Sequence, residues 1–158
     1  MKQTCEFLYE HLKQDGEKTV AFFQKLSEDQ WQLPVYDNEG IEWRIQQVLA
    51  HLVASEASFA RLIKNILAGG RGAPEKFDID DFNQLEIEKL RTNSPEELLV
   101  RFKQLRESTL DLIGIMNQSE LEKVGRHPFL GEASLGDIIR LIYRHNQIHL
   151  RDLKRIVH

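Results

Sequence analysis

Apolar residues recur at spacings of three and four along four long stretches of the chain, and strand-like alternation is convincing nowhere. The first stretch, from about Thr4 to Leu26, puts Cys5, Leu8, Leu12, Gly16, Thr19, Phe23 and Leu26 on one stripe. Gly16 costs about 1 kcal/mol relative to alanine inside a helix, so on that stripe it marks a close approach or open space. Ser27 with Gln30 fits a capping box for a short turn of helix, and Pro34 and Gly40 bracket a loop. The second helix is expected from about Glu42 to Ala68, with Val48, His51, Leu52, Ser55, Phe59, Leu62 and Ile66 on one side. Gly69-Gly70 ends it, because glycine accepts the left-handed conformation past a helix C-terminus.

The segment Arg71–Asn93 is polar and holds a short helix near Asp80–Leu90. The third long helix starts at Ser94-Pro95-Glu96-Glu97, which supplies an N-cap, a proline at the first helical position and a capping-box glutamate. Its stripe is Leu98, Phe102, Leu105, Thr109, Leu112, Ile113 and Met116. A loop follows over Asn117–Ala133. Ser134 with Asp137 opens the fourth helix, whose stripe is Leu135, Ile138, Leu141, Ile142, His145, His149, Asp152 and Ile156. The pattern predicts an all-α fold: a four-helix bundle with no internal repeat. One long crossover connection between helices two and three would let those helices run parallel.

Length and charge narrow the picture. The chain has 158 residues, read as a single domain over 1–158, with 41% hydrophobic and 29% charged residues. Its net charge of −4 lacks the basic excess of a nucleic-acid binder, so no nucleic-acid partner is expected. Cys5 is alone and cannot form an internal disulfide. The N-terminal MKQTCEFLYE has no signal-peptide core, and no apolar run approaches the roughly 18 residues of a membrane span. The expectation is a cytoplasmic protein without a membrane partner. An association face on an outer helix stripe would suit a homodimer.

The chemistry lies in the histidines. His145 and His149, four apart in YRHNQIHL, stack on one helix face. His51 lies near the middle of its own helix, level with the middle of helix four whichever way the two run. An unpaired buried imidazole costs roughly 1–3 kcal/mol. Three of them on facing stripes either pair with other polar groups or hold a divalent ion, and the residues alone leave both readings open. Ser55, one turn beyond His51, and Asp152, three residues past His149, are candidates to orient the rings. The remaining residues carry blander readings. Cys5 is a small hydrophobe, His127 is a surface or loop-packing residue rather than a fourth ligand, and Glu56 is a solvated or inter-helix residue. His11 and His158 are exposed.

WRIQQVLAHLVASE and HPFLGEASLGDIIRLIYRHNQIHLRDLKRI resemble the DinB-like (DinB/YfiT-like) metalloenzyme family. In that family a tryptophan opens helix two and a histidine follows in an HL context. A late loop with proline and glycine precedes a capped final helix bearing H-x-x-x-H. Trp43, His51, His127-Pro128, Gly131, Ser134-Leu135, His145 and His149 match, and DFNQLEIEKL and SPEELLVRFKQLRESTLDLI extend the likeness over nearly the whole chain. The resemblance implies a four-helix bundle in which His51, His145 and His149 bind one divalent metal, often nickel or zinc, with water completing the shell. It also shows a departure: many members carry glutamine where this chain has Asp152.

A metal-dependent hydrolase acting on a small-molecule substrate is the leading expectation. The alternatives are a thiol-S-transferase using a low-molecular-weight thiol such as bacillithiol, or a non-catalytic metal- or ligand-binding module. No catalytic base is assigned from the sequence. Arg44, Arg140 and Arg144 are candidate anchors for an anionic substrate.

Overall fold

The computed structural model describes residues 3–158. Four long helices and one short one form where the caps and stripes place them: α1 (Cys5–Gln24), α2 (Ile45–Leu67), the short α3 (Ile79–Lys89), α4 (Pro95–Gly114) and α5 (Leu135–Val157). Side chains cap the starts of α1, α4 and α5, including Thr4, which the sequence reading did not single out. Thr4 Oγ1 accepts the Phe7 N–H at 3.0 Å, and Ser134 Oγ accepts that of Asp137 at 3.2 Å. Ser94 and Glu97 exchange side-chain-to-backbone bonds in a full capping box.

Each long helix packs against two others: α1 against α4 and α5, and α2 against α4 and α5. Two apolar clusters fill the bundle and reveal its directions. One gathers Phe23 from the end of α1, Ile45 to Val53 from the start of α2, Leu98 and Phe102 from the start of α4, and Leu153 from the end of α5. The other gathers the opposite ends: Leu8, Ile63 and Ile66, Ile113, and Leu135 to Tyr143. So α2 and α4 run the same way, and residues 68–94, with α3, cross back along the bundle between them. Among the described residues no helix is long and apolar enough to cross a membrane.

The fold is not strictly all-α. Two antiparallel hairpins precede α2 and α5: β1 (Pro34–Asn38) with β2 (Ile41–Arg44), and β3 (Val124–His127) with β4 (Gly131–Ser134). Helix α2 therefore begins at Ile45 rather than Glu42, because Ile41–Arg44 is committed to pairing with β1. The loop expected over Asn117–Ala133 likewise holds a short 3-10 turn and the second hairpin.

An internal repeat emerges as well, against the expectation of none. The series helix, 3-10 turn, hairpin, helix occurs twice, and equivalent residues lie ninety positions apart. Ile45 N–H bonds Leu33 O at 3.0 Å, and Leu135 N–H bonds Lys123 O at 2.8 Å. Ser27 N–H reaches Gln30 Oε1, and Asn117 N–H reaches Glu120 Oε1, both at 2.9 Å. Thr19 and Thr109 each turn a hydroxyl back on the carbonyl four residues earlier. The chain is two copies of one supersecondary unit joined by the crossover, with α3 belonging to the connection.

At the centre of the bundle lies a buried polar cluster that the stripes did not reveal. Arg106 of α4 grips Glu56 of α2 through Nε to Oε1 at 2.6 Å and Nη2 to Oε2 at 3.1 Å. Its Nη1 donates to Asp15 Oδ2 at 3.0 Å and to Leu12 O at 2.8 Å, both on α1. Asn146 of α5 completes the cluster on Asp15 Oδ2 at 3.2 Å. Gly16 is thereby explained as a close approach: a Cβ there would sit 3.0 Å from Arg106 Cγ. Position 16 is the repeat equivalent of 106, so one half supplies the guanidinium and the other the space for it.

Candidate metal centre

Helix α5 carries two faces side by side. Ile138, Ile139, Ile142, Asn146, Leu150 and Leu153 bury into the bundle, while His145, His149 and Asp152 lie along the edge of that stripe, half-buried. Ile156, expected on the core stripe, is 39% exposed. The shifted edge brings His145 and His149 to face α2, where His51 is buried. The three Nε2 atoms converge: His51 to His145 at 3.0 Å and His149 to His145 at 3.1 Å. The described residues hold one group of three or more His, Cys, Asp or Glu side chains suited to a metal ion, and it is this one.

Hydrogen bonding fixes the protonation of one ring. Tyr36, on β1, donates its hydroxyl proton to Asp152 Oδ2 at 2.7 Å. Its oxygen also lies 2.9 Å from His149 Nδ1. With that proton spent on Asp152, the phenol oxygen accepts, so His149 Nδ1 carries hydrogen and its Nε2 presents a lone pair to the other rings. His145 Nε2 then faces two imidazole nitrogens. One proton there serves only one neighbour well, and a lone pair there opposes the lone pair of His149. No arrangement of protons satisfies both short contacts fully. A cation among the three nitrogens would satisfy them all. An ion about 2.1 Å from each imidazole nitrogen holds them about 3.0–3.4 Å apart, depending on the angle between them, which matches the observed spacing.

Electrostatics agrees with that fit. Burial drives the His51 imidazole well below its ordinary 6.5, helped by the neighbouring His145 and His149. Burial likewise lowers His145 to about 3 and His149 to about 4. All three rings are neutral at pH 7, the form that ligates metals. Burial and the bond to Asp152 raise the Tyr36 phenol well above its usual range, so it stays a proton donor. Trp43 of β2 packs on His51 with ring centroids 5.1 Å apart. Among the described residues, the buried Nδ1 atoms of His51 and His145 and the Nε1 of Trp43 have no hydrogen-bond partner.

The triad opens into a cleft of about 680 Å³ between α2 and α5, roofed by the crossover segment and α3. Its walls include Phe59, Leu62, Phe77, Phe82, Leu141 and Ile148. His127 lines the cleft too, but its Nδ1 accepts the N–H groups of Phe129 and Leu130 at 3.0 and 3.2 Å. It packs its loop, as expected, and stands outside the converging triad.

The other singled-out residues sort plainly. Asp152 reaches His149 through Tyr36 rather than directly. Ser55 lines the cleft and, among the described residues, makes no hydrogen bond to a triad ring. Glu56 is an inter-helix residue held by Arg106. Cys5 is half-buried with its thiol pKa raised by burial, which suits a small hydrophobe and not a nucleophile. Arg44 pairs with Glu42 and Arg140 with Asp137, and neither they nor Arg144 line the cleft. His11 is half-buried rather than exposed, its Nδ1 lying 3.0 Å from Phe7 O. Tyr36 was missed altogether, since it lies on the first hairpin, 113 positions from the ring it holds.

Comparison with known proteins adds to this geometry. A family model described as the DinB superfamily matches residues 11–153. No curated protein matches the sequence. Among solved structures, YfiT from Bacillus subtilis superposes with a TM-score of 0.78 at 19% identity, covering 96% of this chain and 85% of YfiT. It is described as "a probable metal-dependent hydrolase with an unusual four-helix bundle topology". The colibactin self-resistance protein ClbS, in complex with double-stranded DNA, superposes with a TM-score of 0.74 at 15% identity, covering 96% of each chain. A mycothiol-dependent maleylpyruvate isomerase gives a TM-score of 0.77 at 12% identity, covering 96% of this chain but 61% of the isomerase. At these identities the likeness is one of fold.

Proposed function

The chain belongs to the DinB superfamily, and on that premise we propose that it is a divalent-metal-dependent hydrolase whose ion is held by His51, His145 and His149. The observation that carries the reading is the meeting of three neutral imidazole nitrogens at 3.0 and 3.1 Å, in an arrangement protons alone cannot satisfy. When bound, a divalent ion such as zinc or nickel supplies Lewis acidity, which polarises a carbonyl and makes water nucleophilic near neutral pH. The chain's own residues prepare for that. Burial keeps the rings unprotonated, Tyr36 and Asp152 hold His149 in the ligating tautomer, and the walls beside the triad are largely apolar.

The cleft favours the hydrolase reading over a transferase that uses an anionic thiol. Bacillithiol carries two carboxylates, and among the described residues no lysine or arginine lines the cleft. The expectation against a nucleic-acid partner rests on the net charge of −4 alone. A similarly folded protein bound to DNA weakens it.

The test is a panel of uncharged esters and amides offered to zinc-loaded, nickel-loaded and chelator-treated protein. Turnover should vanish on chelation, return with the ion and be lost in His145→Ala. Turnover indifferent to chelation would overturn the proposal. Metal-dependent consumption of bacillithiol with an electrophile, without hydrolysis, would replace it with the transferase reading.

A further inference from the structure

The two halves of the cleft are equivalent in backbone and opposite in chemistry. In the internal repeat, His51, His145 and His149 correspond to Leu141, Ser55 and Phe59. All six line the same cleft. One half gathers imidazoles, and its counterpart presents carbon and a single hydroxyl. The hairpin turns follow suit. His127 of the second turn occupies the place that Asp37 holds in the first, and both line the cleft.

His127 has a fixed tautomer. Its Nδ1 accepts two backbone N–H groups, at 3.0 and 3.2 Å, so its proton sits on Nε2. The ring stacks on Phe59 at 5.6 Å with planes 18° apart, which holds its orientation. Among the described residues Nε2 has no hydrogen-bond partner. Among the described residues, no lysine or arginine lines this half. Asp37 is the one carboxylate among the lining residues, and its Oδ1 already accepts the Gly40 N–H at 2.9 Å. An anionic group entering this half would shed its hydration and find no cation to replace it. An apolar group would gain by leaving water for these walls.

We propose that this second half is a recognition site for an uncharged, apolar group bearing one carbonyl-type acceptor, which takes the hydrogen bond from His127 Nε2. The proposal names the substrate class for the cleft described above and rests on its being a substrate site. The chemistry it invokes does not involve the metal.

The test uses the full chain, zinc-loaded and chelator-treated, titrated by protein-observed NMR with three probes. N-benzylacetamide is neutral with one carbonyl, ethylbenzene lacks the acceptor, and benzylsulfonate is anionic. In chelator-treated protein, N-benzylacetamide should shift cleft resonances saturably, and benzylsulfonate should bind at least about tenfold more weakly. His127→Asn keeps an acceptor for the turn's N–H groups and removes the Nε2 donor. It should weaken N-benzylacetamide about three- to tenfold, the worth of one hydrogen bond, and leave ethylbenzene unchanged. Equal or tighter binding of benzylsulfonate would overturn the proposal in wild-type protein alone. So would an unaltered amide affinity in His127→Asn. A protein that binds N-benzylacetamide in this way yet never binds zinc would refute the metal reading and leave the recognition half standing.

Discussion

His149 is held at both ends. Its Nε2 meets the other two rings, and its Nδ1 donates to a tyrosine that donates in turn to a carboxylate. A group that fixes the far nitrogen of a ligating imidazole typically contributes 10–100-fold in metal affinity. Tyr36→Phe keeps the ring packed against His149 and removes the link, so zinc affinity should fall about 10–100-fold in a chelator competition. Unchanged affinity would show that the link orients nothing. Much of this constellation was visible beforehand. Helical spacing placed His145, His149 and Asp152 on one edge, and mid-helix position put His51 level with them. Tyr36 was not visible, because its approach depends on a hairpin whose strands show no alternation: of β1 and β2 only Trp43 is buried. Ser55 shares a stripe with His51, but a stripe does not determine which way a short hydroxyl turns.

At the scale of elements, the Arg106 cluster ties all four long helices together. Glu56, Asp15 and Asn146 reach the guanidinium or its partner from the other three. Burial raises the Asp15 carboxyl above its usual value, and the guanidinium offsets that in part. Arg106→Ala would leave two buried carboxylates without their cation. It should cost about 3–5 kcal/mol in a denaturant melt of metal-free protein. A loss below about 1 kcal/mol would mean the cluster relaxes into solvent. No periodicity argument finds such a cluster, since a charged residue near an apolar stripe reads as solvated. Gly16 was one trace of it, beside the inter-helix reading of Glu56: a helix-interior glycine with no local excuse, now accounted for by the stem of Arg106. The helix ends were legible for a different reason. Caps such as Ser94 with Glu97 act within four residues, so their chemistry is written locally.

Over the whole molecule, the long connection after α2 announced the crossover, because a tight turn would have forced α2 and α4 antiparallel. The repeat escaped notice because it survives in caps and backbone bonds rather than in side chains: Gly16 corresponds to Arg106, and His149 to Phe59. That divergence is what lets one half of a symmetrical scaffold gather ligands while the other stays apolar. The gathered rings also shape the stability of the entire fold. The folded chain keeps His149 neutral down to about pH 4 and His145 down to about pH 3, whereas the unfolded chain protonates them near 6.5. Below pH 6.5 the unfolded state therefore binds more protons, and the metal-free protein should lose stability as pH falls toward 4. His145→Asn should make that loss shallower, as read from melts of the two proteins across pH 7 to 4.5. Parallel slopes would mean that the burial of these imidazoles is not what the pH titrates.

The central claim is that three imidazoles from α2 and α5 share one cation. Elemental analysis of untagged protein, equilibrated with zinc or nickel and then passed through a desalting column, tests it most directly. The account predicts one ion per chain in the parent protein and almost none in His51→Ala, His145→Ala or His149→Ala. A parent chain that retains no ion, or alanine variants that retain as much as the parent, would contradict it.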